Sequence, residues 1–211
     1  MTVRMSLPES ASVPELLRNL GFSTRRLAAY PTAAALHSGA STALHNLRVA
    51  DVAELDAEES RLVSSAVIEV LTDELFGSVG QLSHQALGAV RRDREDARYR
   101  AAFSKNPSEV LKGSVSDDKL IYVKIACDAL SADPTFNALA GDIGQTRTLL
   151  AQLEVQLATH KALEEAERVA EAALKNAAAA ARDVFNALSP ALTLLFPKKK
   201  VLVRSFFRTG R

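Results

Sequence analysis

Tryptophan is absent from the 211 residues, and aromatic residues of any kind make up only 5%. A core with so few rings must rest on aliphatic side chains. Much of that aliphatic content is Ala and Leu, which are strong helix formers. Strand-rich proteins draw more heavily on Val, Ile, Thr and aromatics. Cysteine occurs once, at Cys127, which excludes an intramolecular disulfide and a cysteine zinc site. A single free cysteine fits a reducing compartment. No run of about 18 apolar residues occurs, so no membrane-spanning helix is expected. The opening residues, Met1 to Ser10, lack the apolar stretch of a secretory signal. The expected location is therefore cytoplasmic. A net charge of +1 gives the whole molecule no attraction for nucleic acid or an anionic membrane.

Enough apolar material is present for a core, at 47% of residues against 24% charged. The charge is unevenly placed. Residues 198–211 carry six Lys or Arg and no acid, leaving 20 basic against 25 acidic residues in 1–197. A mildly acidic body with a short basic tail is the main charge asymmetry.

Helical punctuation recurs along the chain. Ser12 with Pro14 caps a short helix expected to end near Gly21. Pro31 opens another, with Gly39 as its stop. Asp56, followed by Glu58 and Glu59, reads as the start of a first long helix, about 57–104. Its apolar stripe runs through Leu62, Val63, Val67, Val70, Leu71, Leu75, Val79, Leu82, Ala86, Ala89 and Val90 at steps of three and four. Arg91 with Glu95 and Arg92 with Asp96 stand four apart and are expected to pair on its exposed face. Asn106 and Pro107 end it. A short helix follows over 108–112, and Ser116, Asp117 and Asp118 cap another that ends at Asp133 and Pro134. The second long helix is expected over about 142–188, broken at Pro190. Val201 to Arg208 is the one β-like stretch, and a lone strand needs a partner.

Four features could carry chemistry. If the two long helices pair antiparallel with residue numbers summing to about 245, His84 and His160 lie level. Gly80 and Gly88, four residues either side of His84, could then clear space for a tetrapyrrole or a metal. The simpler reading is that the glycines admit close helix packing. None of the four histidines has Glu three residues before it, against a ferritin-like di-metal site. Cys127 lies in an apolar helix without a local base and reads as a buried structural thiol. Gly77 to Gly80 lacks the Lys-Ser/Thr ending of a phosphate loop. The basic tail is the strongest interaction element. Lys198, Lys199, Lys200, Arg204, Phe206, Phe207 and Arg208 could meet a partner protein, a nucleic acid or an anionic membrane surface. The competing reading docks Leu202, Phe206 and Phe207 back on the bundle.

Together these features predict an all-α elongated bundle. Two long antiparallel helices, several short ones and a short C-terminal strand make one domain over 1–197, followed by the tail 198–211. The leading functional expectation is a non-catalytic structural or interaction protein that self-associates. Its partners are homo-oligomeric or another protein, and no enzymatic activity or cofactor is expected. The alternative is a ligand-binding or redox bundle using His84 and His160. Deleting 198–211 is expected to spare the helices and weaken assembly.

Overall fold

A computed structural model describes residues 3–208. The described residues form an all-α protein without strands. In chain order the helices are α1 (Val13–Ala28), α2 (Ala34–Ala89), α3 (Ala97–Ala102), α4 (Pro107–Val110), α5 (Asp117–Ala132), α6 (Ala140–Leu195) and α7 (Lys200–Ser205). Two 3-10 turns, Pro31–Ala33 and Pro134–Leu139, lead directly into α2 and α6. Each of these two long helices has 56 residues. Packing divides the chain into two units, and each long helix contributes to both.

Unit 1 comprises residues 3–59 and 164–208 among those described. Leu16, Leu20 and Leu27 of α1, Leu44 and Leu47 of α2, and Phe185, Leu188 and Leu192 of α6 form its core. The Ser12 side chain accepts from the Glu15 backbone N–H and caps α1. The helix then runs past Gly21 to Ala28, beyond the expected stop. A mid-helix glycine costs about 1 kcal/mol, whereas burying one leucine side chain stabilises by about 1.5–3 kcal/mol. Leu27 lies beyond Gly21 and is fully buried, so continuing the helix wins.

Unit 2, Ser60–Leu163, buries Leu75, Val79, Leu82 and Ala86 of α2 against Val123, Cys127 and Leu130 of α5 and Ile143, Leu150 and Leu153 of α6. Phe136 in the 3-10 turn fills the same core. The Ser78 and Thr146 hydroxyls share a hydrogen bond of 2.6 Å, and Gln156 donates to the Ser64 hydroxyl at 2.9 Å. Residue numbers rise along α2 as they fall along α6, so the two run antiparallel here. In unit 1, Thr32, Ala35 and Leu36 share a cavity with Ala191, Leu194 and Leu195.

Several expected boundaries are corrected. The first long helix begins at Ala34, not Asp56, and Gly39 lies inside it. It ends at Ala89, not near residue 104. Arg91 and Arg92 take left-handed φ values of 58° and 65°, and the Arg92 N–H reaches the Leu87 carbonyl at 2.7 Å, closing the helix end. The expected charge ladder is therefore replaced by Arg98 with Asp96 and Arg100 with Glu95, each at 2.6 Å. The side chain of Asp96 also caps α3, and the Arg98 hydrogen bond holds its carboxyl down at about 2. The second long helix continues through Pro190 to Leu195. A proline there removes one hydrogen bond and strains the turn, but Leu188 and Leu192 on either side are buried. Residues 201–208 are not a strand. Lys200–Ser205 is helical, because Val203, Phe206 and Phe207, spaced three and four apart, sink together into the core of unit 1.

Candidate functional site

The histidine pair is not brought together. The hydroxyl contacts of unit 2 set the α2–α6 register at residue sums of 224 and 220, well short of 245. His160 is thus displaced from the level of His84 by about 22 residues, roughly 33 Å along the axis. His84 is exposed, as are Gly80 and Gly88, and His160 is half-buried. A Cβ added at Gly80 or Gly88 would meet nothing within 4 Å. The two glycines face open space and form neither a close helix contact nor a cradle.

Cys127 is buried in the core of unit 2. Burial raises its thiol pKa, with the nearby Arg147 guanidinium pulling the other way. That guanidinium is engaged by Asp128 at 2.8 Å, so the thiol remains a core group. Among the described residues, no three of His, Cys, Asp and Glu converge to hold a metal ion. A cavity of about 490 Å³ opens beside α2, lined by Ile68, Thr72, Phe76 and Val115 with Glu69 and Asp73. No histidine or cysteine lines it, and the Lys119 ammonium at its edge donates to the Ser114 carbonyl at 2.7 Å and lies 5.6 Å from the Phe76 ring centre.

The tail residues separate into two sets. Phe206 and Phe207 are buried. Phe207 packs edge-on against Phe185 at 5.6 Å, and Phe206 stacks on Phe196 at 5.9 Å. The Ser23 hydroxyl donates to the Phe206 carbonyl at 2.9 Å and Arg26 Nε to the Ser205 carbonyl at 3.1 Å, tying the end of α7 to α1. Lys198, Lys199, Lys200 and Arg204 stay exposed, and Arg208 is half-buried. The three lysines and Arg204 rim a cavity of about 270 Å³, where Met5, Phe196 and Val203 supply apolar lining.

A second surface lies on α2, where the expected core stripe splits. From Leu75 onward the apolar residues of that stripe are mostly buried, but Leu62, Val63, Val67 and Val70 remain 40–59% exposed. At 100° per residue, these four and Ala66 occupy one arc turned away from buried Ser64, Thr72 and Leu75. Glu59 and Asp73 bound the patch along the helix. In unit 1 the same helix exposes Val49, Val52 and Leu55. Periodicity alone could not separate this face from the core, because both are apolar at helical spacing. The available signal was width: apolar residues around residues 62–71 cover more of the helix than one core contact needs.

No protein-family model matches the chain, and comparison with curated proteins and with solved structures finds no match. No helix among the described residues is long and apolar enough to cross a membrane.

Proposed function

We propose that this protein is a non-catalytic helical interaction bundle of the cytoplasm that self-associates through the outward face of α2. The observation that carries this reading is the exposed patch Leu62, Val63, Val67 and Val70. Large apolar side chains at steps of one, three and four form a surface that a second helix covers by coiled-coil-like packing. A second copy offers the same surface, and a two-fold axis makes the patch self-complementary.

Light scattering coupled to size exclusion tests this on the full chain and on a Val63→Glu, Val67→Glu variant. The expected result is a dimer that becomes a monomer in the variant, with helical circular dichroism unchanged. A monomeric parent chain, or an assembly indifferent to the two substitutions, would overturn the proposal.

A further inference from the structure

In unit 1, two segments contain no acidic residue at all, 16–50 and 184–208. They carry Arg18, Arg25, Arg26, Arg48, Lys198, Lys199, Lys200, Arg204 and Arg208. The acids of this unit fall elsewhere in its chain: Glu9 and Glu15, Asp51 to Glu59 on α2, and Glu164 to Asp183 on α6. Glu15 is paired with Arg4. The end of α6, the turn after it, and α7 therefore form a corner with no carboxylate in its own sequence.

The same corner exposes apolar side chains. Leu194 is 83% and Val201 85% exposed. On α7, Val201 lies one residue from Lys200 and three from Arg204, on the side that carries both, while Val203, Phe206 and Phe207 are buried in the core. The corner is thus held in place before any partner arrives, and ordering it costs little on binding.

We propose that this corner docks unit 1 on an anionic lipid bilayer. Lys198, Lys199, Lys200 and Arg204 would meet the acidic headgroups, and Leu194 and Val201 would enter the boundary between headgroups and acyl chains. Val201, on the α7 face that carries Lys200 and Arg204, and the exposed Leu194 near the end of α6 match an interface that is negative outside and apolar within. Long lysine side chains lay their methylenes along that boundary with the ammonium in water. Nucleic acid fits the cations but not the aliphatics. Its phosphates gain nothing from Leu194 or Val201, and neither is an aromatic on which a base could stack. The inference stands on unit 1 alone and does not require self-association.

Co-sedimentation of the full-length protein with vesicles tests it, using phosphatidylcholine alone and phosphatidylcholine mixed with phosphatidylserine. Binding is expected only to the mixed vesicles, falling as salt rises. The triple variant Lys198→Gln, Lys199→Gln, Lys200→Gln should lower the partition coefficient on the order of a hundredfold. The double variant Leu194→Ser, Val201→Ser should lower it about tenfold. All five positions are exposed, so circular dichroism should match the parent. Equal binding to both vesicle types, or no binding to either, would overturn the proposal. So would capture of a duplex oligonucleotide unaffected by the Leu194→Ser, Val201→Ser change when vesicles fail to bind. That outcome would assign the corner to nucleic acid instead.

Discussion

Tyr122 and Cys127 stand on α5 with their neutral forms favoured by burial. The Tyr122 hydroxyl donates to the Lys105 carbonyl at 2.7 Å. Burial is the main cause that lifts its pKa from 10.0 to about 12, and burial also raises the Cys127 thiol above 9.0. Each group therefore keeps its proton to higher pH in the folded chain than in the unfolded one. Their contribution is complete below the unfolded pKa and is lost as pH rises through the folded one. Stability should stay level with respect to these groups up to about pH 9 and then fall through about pH 12. Tyr122→Phe should flatten the part of the fall above pH 10. Urea titrations across this range would read that slope, and an unchanged slope in the variant would contradict the assignment. Glycine supplies a second test. Gly39 and Gly144 lie within the long helices, exposed, and an added Cβ would meet nothing within 4 Å at either. Replacing each with Ala should stabilise the protein by about 0.5–1 kcal/mol. A fall in the urea midpoint would show that one of these positions has an unrecognised contact.

Among the elements, α7 departs furthest from its expectation. Its Val, Leu and Phe content reads as strand, yet Val203, Phe206 and Phe207 follow a helical step and bury together. Composition signalled one structure and spacing the other, and tertiary burial decided between them. The same competition explains the helix limits. Ser12, Asn106 and Asp133 marked real starts or stops, because a side-chain cap acts within its own turn, whereas Ser116 precedes α5 without a side-chain cap bond. Gly21, Gly39 and Pro190 did not stop their helices, because their cost of about 1–3 kcal/mol is smaller than the burial beyond them. The histidine pairing failed for another reason. Register between two long helices depends on which faces meet, and periodicity leaves that open. The basic half of the tail was legible as exposed charge, whereas the aromatic half belongs to the core. Truncation after Pro197 should therefore destabilise unit 1 instead of sparing the helices. Phe206→Ala alone should cost about 3–5 kcal/mol, read as a lowered denaturation midpoint. An unchanged midpoint would mean that α7 is not docked as described.

At the scale of the whole molecule, the two cores are distinct sets of side chains. One is centred on Leu16, Leu20, Phe185 and Phe206, the other on Leu82, Val123, Phe136 and Leu153. A unit with its own core can lose stability by itself, since local and sub-global opening follow contiguous cooperative units. The long helices set a limit on that independence, because each contributes one stretch to each core. Opening in one unit removes the side-chain packing of half a long helix, while the other half keeps its own. Phe136→Ala should therefore speed amide exchange chiefly in Ser60–Leu163, and Phe185→Ala chiefly in 3–59 and 164–208. Each substitution should remove about 3–5 kcal/mol from its own core. Exchange measured by peptide-resolved mass spectrometry would locate the effect. If either variant accelerated amides evenly through both units, the chain would behave as one cooperative body. The continuous backbone of α2 and α6 would then couple the two cores as strongly as packing does within each.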